Sequence, residues 1–328
     1  MKLPDFLAGL MEQRRDARQA EEGLLAAVET AAGLVDPKIR WVSGYRRKLK
    51  PAVARTLVYA DELIAKIPGP VIAHPDRWDH DPLLRALFST PEEILLTLKT
   101  HPKALEFLNA SSGATLYALL TTTREEKAVF GVQLEGEVVK RDVPRTAVNF
   151  VGLRLLAPAP LEEETREQLR RQALTILCST AMERILALRS RAQDLGEQRE
   201  LLKIKLKIRR SGRNDLSTLM CGTEACPAEI ERTQDALEEI TREIDAAKAE
   251  LGGPDECLEH VRRILSRPEE YLWVEPLRLR LSPLGFKVDA ASSEPAAEIV
   301  LCEFKVRGGL QRAAVFVSYT SPRTPPRP

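Results

Sequence analysis

Aromatic rings are scarce in this chain, at 5% of 328 residues, and only four residues are histidine. The first shortage leaves few faces on which single-stranded bases could stack. The second leaves little imidazole for acid–base or metal chemistry. Cysteine is sparse too: Cys178, Cys221, Cys226, Cys257 and Cys302. An odd, thin set in a chain this long argues against a disulfide framework and suits a reducing, cytoplasmic compartment. Net charge is nearly nil, +1 from 49 basic and 48 acidic residues. No chain-wide field therefore draws the protein to nucleic acid or anionic lipid, and any basic patch is local. No run approaches the roughly 18 uncharged apolar residues of a membrane span. The opening MKLPDFLAGLMEQRRD is broken by Asp5 and Glu12 and lacks the small-residue cleavage site of a secretory leader. Familiar catalytic signatures are missing as well. There is no Gly-x-Gly-x-x-Gly after a strand, no P-loop, no His-Glu-x-x-His and no Gly-x-Ser-x-Gly.

What is present is architecture. Apolar residues make up 44% of the chain and charged residues 30%, enough for a real core in two domains or in one with a large insertion. Helical spacing runs through 3–35 (Phe6, Leu10, Ala17, Leu24, Val28, Ala31, Val35) and again through about 38–67 (Leu49, Val53, Leu57, Ala60, Ile64). "VDPK" separates the two, and Pro51 predicts a kink in the second. The short connection makes a helical hairpin, with "RRKLK" at 46–50 set opposite Glu21 and Glu22. A proline-punctuated loop, "IPGPVIAHPDRWDHDP", leads to three short helices: "PLLRALF", "TPEEILLTLK" and "PKALEFLN". Thr90 is the expected N-cap of the second, with Pro91 at its first position. The texture then turns to Val, Leu and Thr. "ATLYALLTTT", "AVFGVQLEGEVVKRDV" and "TAVNFVGLRLLA", separated by "REEK" and "PR", predict an antiparallel meander.

A long helix begins near Leu161. From Ala181 its seam residues are Ile185, Leu188, Ala192, Leu195, Arg199, Leu202 and Leu206, spaced four, three, four, three. The spacing returns at Ile230, Thr233, Leu237, Ile240, Ile244, Ala247 and Leu251. Two matched heptad runs around a short connection predict an antiparallel coiled-coil hairpin. "LKIKLKI" alternates as a strand would, but Leu201, Ile204 and Ile208 also fit a helix, and no partner strand is near. "GGP" at 252–254 ends the returning arm, and a short helix at about 255–265 follows. "YLWVEPLRLRL", "FKV", "AEIVLCEFKV" and "LQRAAVFVSY" read as strands, the last two forming a hairpin across "RGG".

The expected fold is therefore α+β. An N-terminal helical hairpin and short helices occupy 1–112, and the first half of an antiparallel β-sheet occupies 113–160. The long helix and coiled-coil hairpin are inserted at 161–265, the second half of the sheet follows at 266–320, and 321–328 is a disordered tail. Strands at 115–157 and 271–319 belong to one sheet.

Three stretches carry chemistry worth weighing. Between the arms lies "KLKIRRSGRNDLSTLMCGTEACPAEIE", in which Lys203, Lys205, Lys207, Arg209, Arg210 and Arg213 form a run free of acids. Setting Leu206 opposite Ile230 puts the returning arm's Glu229, Glu231, Asp235, Glu238, Glu239 and Glu243 beside them, so much of that charge is answered inside the hairpin. Lys203, Lys207, Arg209, Arg210 and Arg213 are the candidate contacts for a partner or a phosphate, and the arginines nearest the turn are the freest. A zinc set of Cys221, Cys226, Cys257 and His260 fails on distance. Tip and base of the hairpin are separated by roughly 37 Å at the helical rise, whereas zinc ligands sit about 2 Å from one ion. Cys178 and Cys257 instead meet near the base as buried thiols. "HPDRWDHD" gathers His74, Asp76, Asp79, His80 and Asp81, a set able to bind metal or move protons. Its plain reading is structural: Asp81 as an N-cap before Pro82, Asp76 in a turn, and Trp78 as an anchor.

No cofactor or metal is expected. The reading is a non-enzymatic adaptor or scaffold that holds a protein partner on its coiled-coil arm, with self-association through that arm as a variant. Nucleic-acid or ribonucleoprotein binding through the basic tip is the alternative, and a metal-dependent hydrolase around His74–Asp81 the second.

Overall fold

The computed structural model of the chain describes residues 3–110, 113–135, 138–211, 225–250, 252–289, 292, 294–309 and 311–321. At 3–14, 16, 132–135, 138–141, 209–211, 225–228 and 248 it describes the backbone alone. In chain order the elements are α1 (Leu3–Val35), α2 (Tyr45–Ala65), β1 (Val71–Ile72), α3 (Pro82–Leu87), α4 (Pro91–Lys99), α5 (Pro102–Ala110), β2 (Thr115–Glu135), β3 (Val138–Ala159), α6 (Glu162–Ser211), α7 (Ala225–Glu250), α8 (Pro254–Ser266), β4 (Leu272–Leu281), β5 (Ala297–Val306) and β6 (Gln311–Thr320). The fold is α+β, with a six-stranded sheet and a long helical hairpin inserted between its halves. Among the described residues no helix is long and apolar enough to cross a membrane. The tail from 322 onward lies outside the described residues.

The chain divides into two compact units, Met1–Ala54 with Thr175–Ser266 and Arg55–Leu174 with Arg267–Pro328. Two of the crossings fall inside α2 and α6 rather than in loops.

The first unit is helical. Val28, Ala31 and Ala32 of α1, Leu49 and Val53 of α2, Ile185 of α6, and Val261 and Leu265 of α8 are buried. The second helix begins at Tyr45, later than its periodicity implies. Asp36 accepts a hydrogen bond from the Lys38 amide at 3.0 Å and caps a 3₁₀ turn over Pro37–Trp41. Gly44, at φ +67°, then redirects the chain into α2. The expected charge pairing of the first hairpin is present: Lys50 reaches Glu21 at 2.6 Å and Arg46 reaches Glu29 at 2.6 Å.

The second unit holds the sheet, ordered β3-β2-β6-β5-β4. Strands 115–157 and 271–319 do share it. Two expectations need correction. "REEK" and "PR" are not turns, because β2 and β3 run straight through them, with Glu125 opposite Asn149 and Phe130 opposite Pro144. An exposed two-stranded ribbon carries charge on its faces without breaking, and a proline is tolerated on an edge strand where its missing N–H faces away from the ladder. The proline-rich loop also contains a strand. Val71 and Ile72 pair in parallel with Val317 and Ser318 of β6. Gly69 makes this possible. At φ +118° its Cα comes so close to β6 that an added Cβ would sit 2.4 Å from the Phe316 carbonyl oxygen.

On one face of the sheet Leu116, Leu120, Val315, Val317, Leu279 and Leu301 pack with Leu84 of α3 and Ile94 of α4 in a single buried cluster. β6, the central strand, is buried along both faces from Ala313 to Tyr319. The two outer strands are tied through the segment after β4. Gly285 O accepts from the Val148 amide at 2.9 Å, and the Lys287 amide donates to Thr146 O at 2.8 Å, while the Val288 amide donates to Arg280 O at 2.9 Å. Arg145 fastens this closure through Nη2, which donates to both carboxylate oxygens of Glu294 at 2.6 and 2.7 Å, and its guanidinium lies 4.4 Å from the Phe286 ring centre.

Candidate functional site

The hairpin of α6 and α7 carries the candidate partner contacts, and its register is explicit. Arg184 pairs with Glu250 at 3.8 Å and Arg191 with Glu243 at 3.5 Å. A step of seven up α6 meets a step of seven down α7, as expected of antiparallel helices that share a heptad seam. Leu188, Leu206, Ile244 and Ala247 are buried in that seam. Continuing the step brings Lys205 level with Glu229 and puts Leu206 within one turn of Ile230, the residue expected opposite it.

The face of α6 turned away from this seam is unusual. Leu201, Ile204 and Ile208 are 59%, 55% and 65% exposed, and they recur at helical spacing on one side of the helix. Lys203, Lys205 and Lys207 lie among them, all exposed. Lys203 is partly answered by Glu200, 2.9 Å away, which Arg199 also approaches at 3.2 Å. These two cations hold the Glu200 carboxyl below its ordinary range, with the Lys203 hydrogen bond as the larger influence. Of the other candidate contacts, the side chains of Arg209 and Arg210 and the whole of Arg213 lie outside the described residues, as do Cys221 and the side chain of Cys226. "LKIKLKI" is helical throughout. The apolar stripe was visible in the sequence only as an argument for helix. Its exposure depends on where the seam falls.

The His74–Asp81 loop is built as structure. Asp81 caps α3, accepting from the Leu83 amide at 2.8 Å and the Leu84 amide at 3.4 Å. Trp78 donates its indole N–H to Phe88 O at 2.9 Å. His74 stacks on Tyr319, with ring centres 5.6 Å apart, and its Nδ1 accepts from the Asp76 amide at 3.3 Å. Among the described residues no three His, Cys, Asp or Glu side chains gather where they could hold a metal ion. Cys257 and His260 have other roles: Cys257 Sγ lies 3.5 Å from Arg189 Nη2, and His260 Nε2 donates to the Glu250 carbonyl at 3.0 Å.

Two further features could not be read from motifs. A row of charges crosses one face of the sheet. Arg124 of β2 reaches the buried Glu303 of β5 at 3.1 Å, passing over Ala313 of the intervening β6. Lys305 pairs with Glu275 at 2.5 Å, and Lys287 with Glu126 at 3.8 Å. Every carboxylate in this row has a cation, so the row stitches strands together and presents no spare acid or base. The other feature is a cavity of about 680 Å³ between α3, β3 and the segment around Leu284, with Arg85 as the one charged side chain that the described residues place in its lining. Its walls are otherwise apolar or uncharged, including Phe88, Asn149, Phe150 and Ile299. An exposed arginine beside such walls defines no reaction.

Comparison with known proteins returns no matching family model, no curated protein of similar sequence and no solved structure of similar fold.

Proposed function

We propose that this protein is a non-enzymatic adaptor that uses the α6–α7 hairpin, a coiled-coil arm, to hold a protein partner. The observation that carries the reading is the exposed line of Leu201, Ile204 and Ile208, set among Lys203, Lys205 and Lys207. Three large apolar side chains on two turns of helix are unfavourable to leave in water, at roughly 25 cal/mol per Å². The flanking lysines select the occupant: an amphipathic segment with apolar anchors at helical spacing and acidic residues on either side. The acids would steer association and set the register, while the apolar contacts hold the complex.

The test uses two full-length variants. One carries Leu201→Gln, Ile204→Gln and Ile208→Gln; the other carries Lys203→Glu, Lys205→Glu and Lys207→Glu. Leu201, Ile204 and Ile208 face away from the hairpin seam, so circular dichroism of the glutamine variant should match the parent protein; Lys203 and Lys205 flank the seam, so the glutamate variant is compared only where its circular dichroism also matches. A partner recovered from extract by the parent at low salt should be lost by both variants, and it should dissociate only partly as salt is raised. Recovery by the glutamine variant at the parent level would remove the apolar stripe from the interface and overturn the proposal. Recovery of nucleic acid, lost only with the lysines and falling steeply with salt, would instead assign the arm to phosphate binding.

A further inference from the structure

On the face of the sheet opposite the α3–α4 cluster, two arginines stand side by side with no described acid between them. Thr121 of β2 pairs with Arg154 of β3 on one side and with Ala314 of β6 on the other. Thr122 pairs with Ala313, so Arg312, next along β6, comes level with Thr123. Residues paired across strands share a face, and so do residues two apart on one strand. Arg154, Thr123 and Arg312 therefore project from the same side of the sheet, around one point on β2.

Their surroundings are those of an anion site. Arg312 donates from Nη2 to the carbonyl of Gly152, 2.5 Å away. That carbonyl is turned by a bulge, where β3 takes an extra residue between Arg154 and Val151 and Gly152 adopts φ +64°. The guanidinium is thus fixed, yet its buried Nε has no acceptor among the described residues. Arg154 is exposed and makes no ion pair with any described residue. The next residue on this face of β2, Glu125, is engaged with Lys127 at 3.1 Å. Burial is the larger influence pushing the Arg312 pKa below its ordinary value, and the nearby charge of Arg154 adds to it.

We propose that Arg154, Arg312 and the Thr123 hydroxyl form a binding site for a phosphate group. The guanidiniums offer forked N–H donors that match its oxygens, and the threonine adds a third donor between them. The site is independent of the arm and of any partner the arm holds. The phosphate can be free or esterified, and the two are separable by experiment.

The experiment is thermal unfolding of the full chain against inorganic phosphate and, separately, glycerol 3-phosphate, with sodium chloride holding ionic strength constant. The Tm of the parent protein is expected to rise with phosphate, because a ligand that binds only the folded state stabilises it by mass action. Arg154→Gln is expected to weaken the apparent affinity roughly tenfold, the loss of one charge-assisted contact. In chloride alone its Tm should equal or exceed that of the parent, since the substitution also removes repulsion of Arg312. Thr123→Val should weaken phosphate binding by a smaller factor. A response to both ligands assigns a phosphate group of either source, and a response to the ester alone assigns an esterified one. No rise beyond the chloride control with either ligand, or an equal rise in Arg154→Gln, would overturn the proposal.

Discussion

The guanidinium of Arg189 lies 2.6 Å from the carboxylate of Asp36, joining residues 153 positions apart. Asp36 ends α1 and caps the turn that follows, while Arg189 projects from the middle of α6 and also touches Cys257 of α8. One ion pair thus fixes three helices of the first unit around the base of the hairpin. Asp36 is buried and its partner half-exposed, so the pair is stronger than a surface contact and weaker than a fully desolvated one.

Its pH dependence follows from the Asp36 carboxyl. Burial pushes that carboxyl's pKa up, but the hydrogen bonds from Arg189 and the Lys38 amide outweigh burial and hold it below the ordinary 3.8. The unfolded chain therefore binds the proton first. The stabilisation is fully present above pH ~4 and is lost as pH falls below that value, through the lower folded pKa. Asp36→Asn keeps a competent N-cap and removes the charge. It should cost about 1 kcal/mol at pH 7, and the difference from the parent should shrink as pH falls from about 5 towards 2. Urea unfolding across that range checks both points. A difference that stays constant with pH would remove the ion pair from the account.

Gly69 is the backbone position with least room. Its φ of +118° disfavours any side chain, and a Cβ would meet the Phe316 carbonyl oxygen at 2.4 Å. Phe316 is fully buried in the central strand, and its amide donates to Pro68 O at 2.9 Å. The collision is with backbone, so no side-chain rotation relieves it. Gly69→Ala should therefore cost about 2–4 kcal/mol in unfolding free energy. Gly23, where an added methyl would have nothing within 4 Å, serves as the control. Gly23→Ala, in the interior of α1, should be stabilising by about 0.5–1 kcal/mol.

Most of the fold was legible because its signals are local. The heptads of α6 and α7, the Asp81 cap and the β5–β6 hairpin each declare themselves within a few turns of chain. The Lys50–Glu21 pair was foreseeable once two helices were set antiparallel. What was hidden depends on distant strands. Nothing local marks Val71 and Ile72 as a strand, since two residues carry no period and their pairing exists only because β6 arrives more than 240 residues later. "REEK" resembles a turn until β3 is known to run alongside it. The Arg154–Arg312 pair requires the order β3-β2-β6, and the span from Arg124 over Ala313 to Glu303 requires the order β2-β6-β5. The division into two units escapes the sequence for a related reason: α2 and α6 cross it without any break in composition.

The thiols give a test of the core that needs no mutation. Cys178, Cys257 and Cys302 are buried and unbridged. Burial pushes Cys178 and Cys302 up to about 12, and it raises Cys257 against the opposing pull of Arg189. Only the thiolate alkylates, and at pH 8 a pKa of about 12 leaves roughly one thiol in ten thousand ionised. Iodoacetamide at pH 8 should therefore leave peptides carrying these three residues unmodified in the native protein and modify them fully in urea, as read by mass spectrometry. The same shifts carry a sign for stability. The folded chain keeps protons that the unfolded chain begins to lose near the ordinary thiol value of 9.0. Unfolding free energy should therefore decline as pH rises above about 9. Rapid native alkylation of Cys178 or Cys302 would mean that the helical core around α6, or the centre of the sheet, opens far more readily than its packing implies.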